Sequence, residues 1–229
     1  MAASLKTYKF AVVGATGNVG STMLSILAEK GVPIKNVWAV ASEKSSGRQV
    51  SYGEEGVVTV HPLNSFDFSQ VQFALFSPGS AVSAEFAPKA AAAGCIVIDN
   101  TSYFRMDDQV PLIIPEINPT ALAGYKNKNI IANPNCSTIQ LLMALKPLHD
   151  HSRIKRVVAC TYQSVSGAGT QGMNELMGQT KAILMNMPTQ AQKFIKPIAF
   201  NVIPQIDSFM DDGQTKEEWK MAVETQKIL

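Results

Sequence analysis

The stretch Gly14-Ala15-Thr16-Gly17-Asn18-Val19-Gly20 constrains this chain most. It follows an apolar β-type run, Tyr8 to Val13, and opens a helical pattern from Val19 to about Lys30. A glycine-rich turn in that setting lets the backbone approach a pyrophosphate, while the helix amino terminus offers N–H groups and the positive end of its dipole. The spacing is G-x-x-G-x-x-G rather than G-x-G-x-x-G, so the turn alone also fits a tight structural connection. The strand–turn–helix context is what points to a dinucleotide.

Further along, Val37 to Ala41, Phe73 to Phe76 and Ile96 to Asp99 read as buried strands. An alanine-rich helix, with Ser80 or Ser83 as its cap, separates the last two. Short β runs alternating with helices imply parallel strands joined by right-handed crossovers. The expected fold is therefore α/β, a doubly wound, Rossmann-like dinucleotide-binding domain over residues 1–134. After Asn133-Pro134 the pattern changes to a helix from Ser137 to about His149, a strand near Arg156 to Ser164, the loop Val165 to Gly169 and another helix. A boundary near Pro134 leaves residues 135–229 as a second domain. Its last segment opens with Thr215-Lys216-Glu217-Glu218, a capping box in which threonine and Glu218 satisfy each other's backbone donors. No internal repeat or low-complexity linker interrupts the chain.

Charge and composition exclude several classes of function. The 20 basic and 18 acidic side chains are spread along the sequence and leave a net charge of +2, too diffuse to grip a phosphate backbone, so nucleic acid is not an expected partner. No apolar run approaches the ~18 residues of a membrane span, and Met1 to Tyr8 lacks the apolar core of a secretory leader. Cys95, Cys136 and Cys160 are odd in number and widely spaced, which suits a reducing, cytoplasmic setting better than a disulfide framework. His61, His149 and His151 make no metal-ligand spacing with them, and the last two sit at a helix end, where histidine serves as a favourable cap.

Two segments carry chemistry beside the glycine turn. At the end of the second strand, where NAD-specific folds place an acid, the chain has Ala41-Ser42-Glu43-Lys44-Ser45-Ser46-Gly47-Arg48. Hydroxyls and cations match a 2′-phosphate and Glu43 matches a 2′-hydroxyl, so both NADP and NAD remain open on chemistry alone. In Asn133-Pro134-Asn135-Cys136-Ser137-Thr138 the cysteine falls at the start of a helix. The dipole and N–H groups there favour a thiolate, the form that attacks a carbonyl, whereas a packed thiol is the plainer alternative.

These segments together resemble the aspartate-semialdehyde dehydrogenases. The likeness runs through Gly14 to Gly20, Ala41 to Gly47, Asp99 to Pro115 with Phe104-Arg105-Met106, Asn133 to Thr138, Tyr162-Gln163-Ser164-Val165-Ser166-Gly167 and Thr215 to Leu229. The Asn-Cys-Ser-Thr core and the Glu-Glu-Trp-Lys helix are its most specific elements. The resemblance implies NADPH-dependent reductive dephosphorylation of aspartyl phosphate to aspartate semialdehyde, on the route to lysine, methionine and threonine. It implies Cys136 as nucleophile, Gln163 as a substrate-orienting amide, Arg105, Asn135 and Lys220 as the phosphate site, and Glu217 for the substrate amino group. It assigns NADP to Gly14, Thr16, Gly17, Asn18, Val19, Ser42, Lys44, Ser45, Ser166 and Gly167, and no metal.

The resemblance also makes residues 135–229 part of an α+β catalytic and dimerisation domain, and makes the full-length form a homodimer. Chains of the family continue past Leu229, where they carry a substrate-binding arginine and an acid–base histidine, and the three histidines here lie outside that motif. The expectation is a truncated form that exposes apolar surface its parent buries. N-acetyl-glutamyl-phosphate reductase is the alternative enzyme, although that family has glycine where this chain has Asn135. A non-catalytic NADP-binding module is the other.

Overall fold

The computed structural model describes residues 5–54 and 56–229, so residues 1–4, part of the opening stretch considered for a leader, lie outside it. The chain divides into two compact units. One holds the residues up to Arg153 together with Val223–Leu229, and the other is Ile154–Ala222. The expected boundary near Pro134 is not where these units divide, because the helix after it packs on the first unit through Leu142.

The first unit is a seven-stranded sheet in the order β3-β4-β2-β1-β5-β6-β7. Its strands are β1 (Phe10–Val13), β2 (Val37–Ala41), β3 (Gln49–Tyr52), β4 (Gly56–Pro62), β5 (Phe73–Phe76), β6 (Ile96–Asp99) and β7 (Ile130–Ala132). All pairings are parallel except the β3–β4 hairpin. The doubly wound α/β expectation holds, with α1 (Asn18–Glu29), α2 (Ser80–Ala92) and α3 (Cys136–His151) as its helices.

Strand alternation sends successive side chains to opposite faces. Phe10 and Val12 of β1 join a core with Leu24 and Leu27 of α1. Ala11 and Val13 join the other core, with Ala87, Ala90 and Ala91 of α2, Leu142 of α3 and Ile228. The small residues of α2 let that helix lie close against the sheet. Neither Ser80 nor Ser83 caps it: the cap residue is Gly79, at φ 96°, and makes no side-chain bond. Ser83 instead donates to the buried carboxylate of Asp99 at 2.8 Å, a satisfied buried pair that outweighs a cap.

Because β1 pairs with β2 on one side and β5 on the other, the chain changes winding direction at the carboxyl end of β1. That switch point is where open α/β sheets take ligands.

The second unit carries α4 (Gly169–Leu184) and the first part of α5 (Lys216–Ile228). Gln179 organises it: its amide donates to Gln190 O and accepts from the N–H groups of Ile198 and Ala199, tying the segment after α4 back onto the helix. The strand expected near Arg156 to Ser164 is not formed. These residues are exposed and join no β-ladder among the described residues, and an exposed backbone can bond to water without a neighbouring strand. Val158, Tyr162, Leu184, Phe200 and Val202 are each more than two-thirds exposed.

The capping box at the start of α5 is present. Thr215 N–H donates to Glu218 at 2.6 Å and Glu218 N–H to Thr215 Oγ1 at 3.3 Å. The Thr215 backbone bond, foremost, holds the Glu218 carboxyl below its ordinary value of 4.5. A carboxyl whose folded value is depressed contributes stability above the unfolded value and loses it as pH falls through the folded one. Acid unfolding of the second unit below about pH 4.5 should accordingly shift to a flatter profile in Glu218→Gln, measured by circular dichroism across an acid titration; an unchanged profile refutes the coupling.

Candidate active site

Four loops leave the carboxyl ends of parallel strands and so share one edge of the first unit's sheet. β1 leads into the glycine turn, β2 into Ser42–Ser45, β6 into the loop bearing Arg105, and β7 into Asn133–Cys136.

The glycine turn is built around two close approaches. Gly14 has φ +88°, and a Cβ there would lie 2.6 Å from Ser77 O. A Cβ on Gly20 would lie 2.2 Å from Gly14 O and 2.7 Å from Ala15 Cα, so only hydrogen lets α1 start this near the turn. Gly17 caps α1 without a side chain to occupy its first-turn N–H groups, and Thr16, Gly17 and Val19 are exposed. Alanine at position 20 should cost about 1–3 kcal/mol by overpacking and weaken dinucleotide binding, read by urea unfolding and the fluorescence of a reduced nicotinamide dinucleotide. Alanine at position 17, whose Cβ meets nothing nearer than 3.4 Å, should cost less than about 1 kcal/mol.

Ser42 and Lys44 are exposed, and Ser45 partly so, in a short turn whose Ser45 N–H donates to Ser42 O at 2.9 Å. This hydroxyl-and-ammonium turn at the tip of β2 fits a 2′-phosphate, and the turn at β1 has the open backbone a pyrophosphate needs.

Cys136 is the first residue of α3 and is exposed. Asn135 caps the helix, its side chain accepting from Ser137 N–H at 2.9 Å and Thr138 N–H at 3.3 Å. The thiol therefore stands at the positive end of a 16-residue helix. Cys95 is the opposite case: it is fully buried, and burial pushes its thiol up to about 12. Cys160 is exposed, in the second unit.

Arg105 is buried rather than solvated. Its Nε donates to Asn133 O at 2.9 Å, Nη2 to Asn100 O at 3.0 Å, and Nη1 to Glu224 at 3.0 Å. Three of the five N–H groups of a guanidinium are thus committed to protein oxygens. Glu224 also accepts from Asn135 N–H at 2.7 Å. Lys227, one turn further along α5, donates to the carbonyls of Arg105, Asp107 and Val110, and burial lowers its pKa against the opposing pull of Asp108 and Asp107.

The remaining expected site residues lie in the second unit. Gln163 donates to Glu217 at 3.3 Å, and Lys220 pairs with Glu217 at 3.4 Å and with Asp207 at 2.6 Å. Burial works to raise the Asp207 carboxyl, but the bonds from Lys220 and from Ser208 N–H leave it below its ordinary value. Ser166 and Gly167 occupy the turn Val165–Ala168, with Ser166 Oγ 2.7 Å from Ser164 Oγ. Sequence reasoning did not single out Glu224 or Asp207. A signal for the first existed, since Glu217, Lys220, Glu224 and buried Ile228 share one stripe of α5 at helical spacing.

Residues 9–125 match the family described as semialdehyde dehydrogenase, NAD binding domain, and residues 145–229 match its dimerisation domain. The chain is 53% identical over 221 residues to aspartate-semialdehyde dehydrogenase 2 of Vibrio cholerae, covering 96% of this chain and 65% of that one. The chain belongs to the aspartate-semialdehyde dehydrogenase family. The relative from Rickettsia conorii is 52% identical, covering 98% of this chain and 66% of its own length. A crystal structure of aspartate semialdehyde dehydrogenase II from Vibrio cholerae, complexed with ASA, superposes with a TM-score of 0.93 over 96% of this chain and 66% of that one. The chain thus spans about two-thirds of the length of these family members. Among the described residues no helix is long and apolar enough to cross a membrane, and no cluster of three His, Cys, Asp or Glu side chains could hold a metal.

Proposed function

We propose that this chain carries the NADP-binding and nucleophile-bearing parts of an aspartate-semialdehyde dehydrogenase, which converts 4-aspartyl phosphate, NADPH and a proton into aspartate semialdehyde, NADP and phosphate. The observation that carries the reading is Cys136, exposed at the first residue of α3 on the same sheet edge as the glycine turn.

The Cys136 thiolate attacks the acyl carbon, forming an S–C bond while the C–O bond to phosphate breaks. Phosphate leaves with the electron pair and takes up a proton from solvent. NADPH, when bound, supplies the hydride that brings the acyl carbon to the aldehyde level, and collapse of the resulting alkoxide returns the thiolate. Arg105, Asn135 and Lys220 hold the phosphate, Glu217 the substrate ammonium, and Gln163 orients the acyl group. The glycine turn with Thr16, Asn18 and Val19 takes the pyrophosphate, Ser42, Lys44 and Ser45 take the 2′-phosphate, and Ser166 and Gly167 complete the cofactor contacts. Asn135 supports this reading over the glycine-bearing reductase alternative, because its side chain supplies a cap that glycine lacks.

The exposed apolar side chains of the second unit support a homodimer of the whole protein formed through that region. A cytoplasmic setting suits three cysteines that are all free. The test is phosphate-dependent reduction of NADP by aspartate semialdehyde, run in parallel with NAD and with N-acetyl-glutamate semialdehyde. Turnover specific for the first pair of substrates is expected; preference for the acetylated aldehyde would overturn the substrate assignment, and preference for NAD the cofactor assignment.

A further inference from the structure

We propose that Glu224 is a positioning residue for Cys136, holding the peptide immediately before the nucleophile through the Asn135 N–H while neutralising Arg105. The inference rests on the reading of Cys136 as nucleophile and adds a residue to it.

Glu224 is buried, in a unit core that otherwise admits few charges. Its two oxygens do different work. One receives Arg105 Nη1 at 3.0 Å, and the other receives the Asn135 N–H at 2.7 Å. Asn135 in turn caps α3 with its own side chain, so one acid fixes the backbone of the cap residue whose side chain fixes the first turn. Arg105 closes the arrangement from the other side, since its Nε holds Asn133 O, two residues before Asn135. Asn133 is itself tied to Asn100 Oδ1 at 2.7 Å. The approach to Cys136 is therefore held at residues 133 and 135 by one ion pair brought in from the end of α5. Lys227 fastens that end by donating to three carbonyls of the 105–110 loop.

Charge alone does not require this geometry. A carboxylate has two acceptor oxygens, whereas an amide has one oxygen and one NH₂ group. Glutamine at 224 can serve Arg105 or the Asn135 N–H, and must turn a donor toward the other. With Arg105 also replaced by methionine, the same glutamine is free to accept from Asn135.

The test uses the three cysteines of the 229-residue chain. Iodoacetamide labelling is timed for each thiol by peptide mass spectrometry, with exposed Cys160 as internal reference and buried Cys95 as a reporter of unfolding. Amide exchange at Asn135 is followed alongside. In the parent chain the Asn135 amide is expected to be protected; an unprotected amide overturns the proposal outright. In Glu224→Gln its exchange should rise on the order of tenfold and the Cys136-to-Cys160 rate ratio should shift about threefold or more, with Cys95 silent. In Arg105→Met/Glu224→Gln both readouts should return toward the parent.

An Asn135 amide that opens without any change in the Cys136 ratio, in either folded variant, refutes positioning and leaves Glu224 a partner of Arg105 only. If Glu224→Gln alone exposes Cys95, the double variant decides by the same pair of readouts. Labelling needs neither substrate nor cofactor, so failure here and failure of the proposed turnover are told apart.

Discussion

Under the proposed mechanism, alanine in place of Cys136 is expected to remove phosphate-dependent reduction of NADP by aspartate semialdehyde, a loss on the order of 10⁴-fold or more. Alanine removes the sulfur and nothing that holds the fold, because the side chain is exposed at the first turn of α3 and the cap belongs to Asn135. Stability and dinucleotide affinity should therefore match the unsubstituted chain while turnover disappears. Serine keeps the shape but presents a hydroxyl that a helix terminus ionises far less readily than a thiol, so Cys136→Ser should be nearly as inactive. Incubation with an acyl phosphate and no NADPH gives a second check, since the parent should gain one acyl group at the Cys136 peptide and Cys136→Ser none. Acylation that persists in the serine variant, or that maps to Cys160, would remove Cys136 from the mechanism.

Strands β2, β5 and β6 lie where short, β-branched and aromatic runs bounded by polar turns place them, because the interior of a parallel sheet imposes its composition on the strand. The β3–β4 hairpin was not legible. Gln49 and Ser51 face solvent at the sheet edge, and half-polar edge strands carry little apolar signal. The run from Arg156 to Ser164 shows the reverse failure. Its β-branched and aromatic content is strand-like, but a ladder needs a neighbour, and a sequence window says nothing about whether one is near. Ser83 was misread for a related reason: a hydroxyl near a helix start resembles a cap, yet Asp99, 16 residues away, takes its hydrogen.

The candidate site divides along the same line. Gly14 to Gly20 and Asn135-Cys136 were legible because their chemistry is local, a turn or a cap followed by its own helix. Arg105 was visible only as a cation in a motif, and its burial was not, since its partner Glu224 stands 119 residues away in sequence. Lys220 gave half its pairing away, through Glu217 three residues earlier. Asp207, its nearer partner at 2.6 Å, sits in a loop at φ 67°, a left-handed conformation in which aspartate is among the few tolerated residues.

Replacing Arg105 by methionine is expected to destabilise the first unit by about 3–5 kcal/mol, because it strands the Glu224 carboxylate in the core without its cation. The side chains of this pair are 9% and 2% exposed, so water cannot take over the lost contact as it would at a surface ion pair, where the same change costs at most about 1 kcal/mol. The Asn133 and Asn100 carbonyls lose donors at the same time. Removing the acid as well, in Arg105→Met/Glu224→Leu, should restore part of the loss, because two apolar side chains can fill the site without a buried charge. A residual cost of about 1–3 kcal/mol should persist from the loss of the Glu224 acceptor to the Asn135 N–H.

Pulsed labelling of Cys95 across a urea gradient reads this unit directly, since that thiol lies in the core that also holds Ile228 of α5. A cost below 1 kcal/mol for Arg105→Met would show that Glu224 reaches solvent, and with it would go the argument that the end of α5 fixes the approach to Cys136. A double variant no more stable than the single would place the cost in the lost carbonyl contacts and not in the stranded charge.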